Sequence, residues 1–376
     1  MKILLSGSLD IHIGGPALST YLTIKGLRDL SVDAQIVMYE LSSDGKLVGN
    51  DIPYFFAPRP WDNTFAYSPA LKSVIRSCGN FDIYHAQGIW QYSTYAIIDI
   101  AKKRHKPYLI TPHGMLYPQD IRKSNEFFKI LSLKLRLLND FNNSACIQVT
   151  CKEEMEHCRK LGITSPIAIV TNPQEIKEYK EKKKDNIFRL GYIGRLHPRK
   201  NVEGLIYAFA TLGEKANAAE LLIIGGGETQ YEDFLHSEVR RLNLKNVRFT
   251  GFLSGKEKDE AIASLSVLAM PSEYENHGIV VMEALIRGVP CIATTGSPWE
   301  ELNINKCGWW IPFTQEDITA AVGKALSTPQ KELELMGERG KKLIQINYSV
   351  ESVATKMKQL YEWVLQEKNK SDFIYL

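Results

Sequence analysis

Three hundred and seventy-six residues is long for one hydrophobic core and suits two, since compact domains usually hold about 100–200 residues. A hydrophobic share of 44%, a charged share of 24% and ordinary glycine (26) and proline (16) counts exclude a disordered, collagenous or low-complexity chain. Forty-six Lys and Arg against 43 Asp and Glu leave a formal net charge of +3, which excludes nucleic-acid binding as the default role and makes any basic function local.

The apolar run Ile3, Leu4, Leu5 stops at Ser6, so 2–6 reads as a first strand rather than a signal peptide. Further strands follow at 33–38, 81–85, 107–112, 146–150 and 167–171, with amphipathic helical runs between them such as Ala17, Leu18, Tyr21, Leu22, Ile24 and Leu27. The charged stretch 174–185, with Lys182, Lys183 and Lys184 in a row, separates this pattern from a second one. That second pattern has strands at 188–193, 219–224, 247–250, 267–270 and 290–293, each followed by a helical run. From about Glu316 to near Lys368 the chain reads as nearly continuous helix, interrupted locally at Gly337 and Gly340. Strands alternating with helices predict an α/β protein of two doubly wound units in tandem. The expected division is a domain over 1–172, a linker over 173–187, a domain over 188–350, and a terminal helix over 351–376 that packs back on the first domain.

Six cysteines (Cys78, Cys146, Cys151, Cys158, Cys291, Cys307) form no C-x-x-C pair, which points to reduced thiols in a cytosolic protein rather than a disulfide framework or a zinc site. No stretch nears the roughly 18 apolar residues of a membrane span, so a cytoplasmic protein is expected.

Open parallel sheets bind ligands beyond the carboxyl ends of their strands. After the first strand, Gly7-Ser8-Leu9-Asp10-Ile11-His12-Ile13-Gly14-Gly15-Pro16 places paired glycines at a helix start, where backbone N–H groups suit an anion, although a purely structural turn has the same sequence. Gly225-Gly226-Gly227-Glu228-Thr229-Gln230 lacks the third glycine of a nicotinamide fingerprint, which sets a dehydrogenase aside. Gly194-Arg195-Leu196-His197-Pro198-Arg199-Lys200-Asn201 follows a strand and places Arg195 and Lys200 as a bidentate and a point charge for a diphosphate, or as a basic loop in solvent. In Pro271-Ser272-Glu273-Tyr274-Glu275-Asn276-His277-Gly278-Ile279, Gly278 opens an apolar helix, Glu275 lies in the loop before it and Glu283 more than a turn inside it. A carboxylate among Val281, Met282, Ala284 and Leu285 is costly to bury unless a polar ligand or cation meets it; an ordinary salt bridge is the other reading.

Seven residues lie between Glu275 and Glu283, and the order Gly194-Arg195…Lys200, Gly225–Gly227, acid pair resembles the retaining, nucleotide-sugar-dependent glycosyltransferases of family 4. Thr111-Pro112-His113-Gly114-Met115 and Met336-Gly337-Glu338-Arg339-Gly340 extend the resemblance over nearly the whole chain. It implies the GT-B fold, two facing Rossmann-like domains with a cleft between them, the first binding the acceptor and the second the donor. It further implies that Arg195 and Lys200 hold the donor diphosphate, Glu283 the ribose, and that Glu275 faces the transferred sugar. Backbone at His277, Gly278 and Ile279 would touch sugar and phosphates, Gly15 would close over the diphosphate, and His113 would lie by the reacting sugar. Gly251, Phe252 and Leu253 would meet the base, mostly through backbone. Val170-Thr171-Asn172-Pro173 departs from the family's usual Asn-Gly turn at the hinge.

The reaction so implied moves a sugar from a nucleoside diphosphate to a saccharide hydroxyl with retention, without cofactor or metal, in bacterial surface polysaccharide assembly. A catalytically inactive carbohydrate-binding subunit and a sugar-nucleotide epimerase on the same fold are the alternatives. The segment 121–138 combines Arg122, Lys123, Lys129, Lys134 and Arg136 with Phe127, Phe128, Ile130, Leu131, Leu133, Leu135, Leu137 and Leu138. It reads as a basic amphipathic helix on the inner face of an anionic membrane, which would suit a lipid-linked saccharide acceptor, or as a core-packed helix with a solvated basic face.

Overall fold

Aliphatic runs that are buried on both faces form parallel strands, because the crossover helices between them cover the sheet on either side. The computed structural model describes residues 1–61, 64–122, 125–176, 187–275 and 277–376. They form two units, Met1–Glu175 with Tyr348–Leu376, and Ile176–Asn347. Most of the charged segment read as a linker, 177–186 with the run Lys182, Lys183 and Lys184, lies outside the described residues, as do Lys123 and Asn276.

The first unit carries strands β1 (Lys2–Ser6), β2 (Asp33–Tyr39), β3 (Tyr54–Ala57), β4 (Ile83–Gln87), β5 (Tyr108–Thr111), β6 (Cys146–Val149) and β7 (Ile167–Ile169). They lie parallel in the order β7-β6-β5-β4-β1-β2-β3, and the terminal strand Ile374–Tyr375 adds antiparallel to β7. The order reverses between β1 and β4, so the loops after those two strands diverge and leave a crevice. Helix Val350–Val364 packs on helix Gly15–Asp29 at Gly26, where a Cβ would come within 2.7 Å of Val350 Cγ1. The same C-terminal helix is pinned to the sheet by Tyr361, whose hydroxyl meets His85 Nδ1 at 2.8 Å. His85 Nε2 meets Thr111 Oγ1 at 2.7 Å, Thr111 donates to Gln148 Oε1 at 2.8 Å, and Gln148 donates to the Val170 carbonyl at 3.2 Å. Because Thr111 donates onward, His85 must donate from Nε2. Burial pushes its pKa down to about 3, so the ring is neutral near pH 7 and Nδ1 accepts from Tyr361.

The second unit carries β8 (Phe188–Ile193), β9 (Ala219–Ile224), β10 (Val247–Gly251), β11 (Val267–Met270), β12 (Cys291–Thr294) and β13 (Gly308–Ile311). All are parallel, in the order β10-β9-β8-β11-β12-β13, which reverses between β8 and β11. The basic turn and the acidic loop follow those two strands. The glycine-rich turn after β9 has a packing role. A Cβ on Gly225 would lie 1.8 Å from the Gly194 carbonyl oxygen, and one on Gly227 would lie 2.0 Å from that of Leu196. Gly194 N donates to Ile224 O (3.0 Å), Leu196 N to Gly226 O (2.9 Å) and Gly225 N to Gly251 O (2.9 Å), so the loops after β8, β9 and β10 are tied edge to edge.

Several sequence expectations change. Strands β3, β13 and Ile374–Tyr375 were not expected. The C-terminal helical run is three helices, Gln315–Ser327, Gln330–Asn347 and Val350–Val364, and it breaks at Thr328-Pro329 and Tyr348-Ser349 rather than at the two glycines. Gly337 and Gly340 sit inside the middle helix because the Gly288 backbone and Leu285 press against them. The segment 121–138 is also not one helix: Pro118–Arg122 ends before Glu126–Ser132, and Leu133–Leu137 widens into a π turn. All six cysteines are free thiols. No helix among the described residues is long and apolar enough to cross a membrane.

Candidate functional site

In the second unit the loop after β8 is shaped by His197, whose Nδ1 accepts from Arg199 N at 3.2 Å and so caps the short 3₁₀ turn Pro198–Lys200. Asn201, in the left-handed region at φ 50°, then starts helix Val202–Leu212. The loop after β11 is stitched on both sides. Glu273 N donates to Arg199 O (2.9 Å), Glu275 N donates to Gly296 O (2.7 Å), and Thr294 Oγ1 donates to the Ser272 carbonyl. These backbone ties bring together two residues 75 positions apart, and Lys200 Nζ donates to Glu275 Oε1. Ser272 Oγ donates to the same oxygen at 3.2 Å. Both side chains of the ion pair are only 16% exposed, so the pair is poorly screened by water.

Arg195 is exposed, and its carbonyl accepts from the Tyr192 hydroxyl at 2.9 Å. Burial pushes the Tyr192 phenol well above its ordinary value, and the Glu275 charge adds to the shift. Arg199 carries no role in the sequence reading, yet its guanidinium lies over the Tyr274 ring at 5.8 Å and its Nε is buried with no hydrogen-bond acceptor among the described residues. The clustering of cations along 195–200 concealed it, since a loop Arg next to Lys200 reads as one more solvated cation.

Glu283 sits in helix Ile279–Ile286, started by Gly278 at φ 69°. Lys258 Nζ donates to Glu283 Oε1 at 2.7 Å, while Oε2 is buried and accepts no hydrogen bond from the described residues. The carboxylate thus has a cation on one side and an open acceptor on the other. The His277 ring is buried against Met282 and Trp299, and the Trp299 indole N–H donates to its carbonyl, so the ring packs in the core. Burial lowers the His277 pKa to about 4. Gly278 and Ile279 are half-buried at the helix start. At the end of β10, Gly251 takes φ 73°, and beyond it Phe252 stands 81% exposed, with Leu253 half-buried beside it.

In the first unit the crevice between β1 and β4 opens into a cavity of about 810 Å³. Gly7 and Ser8 line it from the β1 loop, Gln87 and Gly88 from the end of β4, and His113 from the turn after β5. His113 holds φ 53°, and its Nε2 meets Gln87 Oε1 at 2.6 Å. A carboxamide oxygen only accepts, so Nε2 carries the proton and Nδ1 keeps the lone pair. Burial lowers the His113 pKa to about 4, which makes the ring neutral near pH 7. The turn itself is held by Glu154, 1% exposed, whose carboxylate accepts from Gly114 N (2.5 Å), Thr150 N (2.8 Å) and Thr150 Oγ1 (3.0 Å). Burial raises the Glu154 pKa against those hydrogen bonds. Glu154 was missed because a Glu inside the charged helix Lys152–Lys160 looks like any surface acid. Gly15 begins helix Gly15–Asp29, with Gly14 at φ 76° turning the chain into it.

The basic face expected over 121–138 is narrower than the sequence implied. Arg136 is bound to Asp99 (2.5 Å) and Asp140 (3.0 Å), and Lys129 donates to the Asp120 carbonyl (2.7 Å). Arg122 and Lys134 remain exposed beside Phe127 (72% exposed), Phe128 and Leu135.

Residues 13–176 match the family model described as Glycosyltransferase Family 4, and residues 172–343 match Glycosyl transferases group 1. The chain is 29% identical over 178 residues to an uncharacterized glycosyltransferase of Methanocaldococcus jannaschii, covering 46% of this chain and 45% of that one. It is 30% identical over 104 residues to the O-antigen chain mannosyltransferase B of Escherichia coli, 27% of either chain. The alignments thus span less than half the length of these curated relatives. Anabaena HepE, solved in complex with UDP, superposes with a TM-score of 0.74 over 96% of this chain and 100% of that one at 17% identity. That likeness shows the fold, GT-B.

Proposed function

We propose that this chain, which belongs to the GT-B glycosyltransferases, moves a sugar from a nucleoside diphosphate sugar to a hydroxyl of a saccharide acceptor, with retention of anomeric configuration. The observation that carries the reading is the Lys200–Glu275 contact at the point where the second sheet reverses its strand order. Before donor binds, Glu275 holds the ammonium in place. When the diphosphate arrives, Lys200 and the exposed Arg195 carry its negative charge without a metal, and Glu275 turns to the hydroxyls of the sugar. The open oxygen of Glu283 accepts from the ribose, with Lys258 paired to the other oxygen. Phe252, with Gly251 and Leu253, offers a face to the base.

In the reaction the bond from the anomeric carbon to the phosphate oxygen breaks and its electron pair leaves with the diphosphate. The acceptor oxygen forms the new bond on the same face, and its proton passes to the departing phosphate oxygen. His113, neutral with pKa about 4, is too weak a base to drive that transfer. Its Nδ1 lone pair instead accepts a hydroxyl of the sugar and positions it. Resemblance to an O-antigen mannosyltransferase supports a place in bacterial surface polysaccharide assembly, such as O-antigen, capsule or exopolysaccharide. The exposed Phe127, Phe128 and Leu135 with Arg122 and Lys134 support peripheral contact with the anionic inner face of the cell membrane, from the cytoplasm.

The test is turnover of UDP- and GDP-sugars by the full chain. His113→Ala should lower kcat more than it weakens nucleotide binding, and the reverse pattern would move His113 away from the sugar. Trapping a sugar covalently on Glu275 would replace same-face attack with double displacement. Liposome co-sedimentation that ignores anionic lipid would remove the membrane contact.

A further inference from the structure

The cavity of the first unit is chemically lopsided. One end holds Ser8, Gln87 and His113. Much of the remaining lining is apolar, Ile89 and Met115 beside Gly88 and then Phe128, Leu131 and Leu135, whose side chains offer no strong hydrogen-bonding group. Thr20, Thr64, Gln91 and Asn125 complete the polar part of the lining, and two further polar groups are already engaged: the Tyr95 hydroxyl pairs with Ser132 Oγ at 2.5 Å. The Lys129 ammonium is drawn off to the Asp120 carbonyl and over the Trp90 ring at 5.6 Å. A bare saccharide placed there would surrender its hydrogen bonds to water and recover few of them. Phe128, Leu131 and Leu135 are also 68%, 40% and 75% exposed, and three solvent-facing apolar side chains converging on one cavity differ from scattered surface leucines. At about 810 Å³ the cavity falls within the roughly 300–1,000 Å³ of small-molecule sites.

We propose that this cavity seats the apolar chain of an amphiphilic acceptor, with the hydroxyl to be glycosylated beside Ser8 and Gln87, and the chain running toward Leu131 and Leu135. The inference deepens the transferase reading and rests on it. Residues on neighbouring positions, Phe127 and Ile130, are exposed but do not line the cavity, so a change at Phe127 touches the membrane-facing surface alone, whereas Phe128 and Leu135 belong to both.

Calorimetric titration of the full chain with methyl, hexyl, octyl and nonyl β-glucoside, each below its micelle concentration, tests it. Buried methylenes should tighten binding about fourfold each, with methyl glucoside the weakest of the series. The Leu131→Gln/Leu135→Gln variant, altered only at exposed positions, should lose most of that dependence, whereas Phe127→Gln should keep it. Binding that is independent of chain length, or an unchanged dependence in the Leu131/Leu135 variant, overturns the proposal. A dihexanoyl phospholipid that binds more tightly than hexyl glucoside assigns the cavity to a membrane lipid and also overturns it. The same preparation is titrated with UDP and GDP. Failure of the glucoside series while a nucleoside diphosphate still binds refutes the chain site alone; alkyl binding with no nucleoside diphosphate binding overturns the transferase reading beneath it.

Discussion

Lys200 and Arg195 are both assigned to the donor diphosphate, yet the structure treats them differently, and the difference is measurable. In the free protein Lys200 neutralises Glu275, and both side chains are 16% exposed. Lys200→Ala leaves that carboxylate with the Ser272 hydroxyl at 3.2 Å as its remaining side-chain partner, which should cost about 1–3 kcal/mol of stability. Arg195 is exposed and makes no ion pair among the described residues, so Arg195→Ala should leave stability within about 0.5 kcal/mol of the parent. A unit charge about 4 Å from a phosphate is worth roughly 4 kcal/mol at an effective dielectric near 20, before desolvation is subtracted. Loss of either cation should therefore weaken nucleoside diphosphate binding by about 2–4 kcal/mol, or roughly 30- to 900-fold. Adding Glu275→Gln to Lys200→Ala removes the stranded charge, so the double variant should regain stability without regaining affinity. Urea denaturation of the second unit and calorimetric titration with UDP and GDP read the two quantities separately. Wild-type affinity in both single variants, or restored affinity in the double variant, would refute the phosphate role.

Gly225→Ala should cost the second unit at least about 2–3 kcal/mol, since its Cβ would lie 1.8 Å from the Gly194 oxygen at φ 141°, while Gly226→Ala, with its nearest neighbour at 3.4 Å, should be nearly neutral; thermal unfolding compares them. Glu154→Gln turns an amide donor toward the Gly114 or Thr150 N–H, so it should cost about 1–3 kcal/mol and lower kcat through the His113 turn; unchanged denaturation and turnover would dismiss it as a positioning group. Acidification should weaken the first unit. His85 and His113 have folded pKa values of about 3 and about 4, below the ordinary 6.5, so the unfolded chain takes up protons first as pH falls through 6.5. Each contributes a loss of roughly 2 kcal/mol between pH 6.5 and 5, offset in part by Glu154, whose raised pKa acts in the opposite sense. Equal urea midpoints at pH 7 and pH 5 would contradict this.

Strands β1, β8, β9 and β11 were legible to the residue because each is a short aliphatic run closed by Gly, Ser or Pro, and a buried parallel strand needs little else. Tyr54–Ala57 and Gly308–Ile311 escaped because edge strands are short and their aromatic residues suit a loop as well as a sheet. Gly337 and Gly340 were misread for a physical reason: glycine weakens an isolated helix, but here the Gly288 backbone beside Gly337 and the Leu285 side chain beside Gly340 crowd out anything larger. The Lys200–Glu275 contact followed from the rule that loops at a strand-order reversal converge, once the sheet order is known. The cavity was not readable, because Ser8, Gln87, His113 and Leu135 come from four separate segments and each alone resembles core, turn or surface. The proton positions on His85 and His113 depend on partners 26 and 276 residues away, which no local pattern encodes.

The most direct measurement is the anomeric configuration of the first product formed from a UDP- or GDP-sugar by the wild-type chain, read by proton NMR alongside nucleoside diphosphate release. Release with the donor's configuration kept, and lost in Lys200→Ala, is the predicted result. An inverted product, or release undiminished in that variant, would contradict the account at its centre.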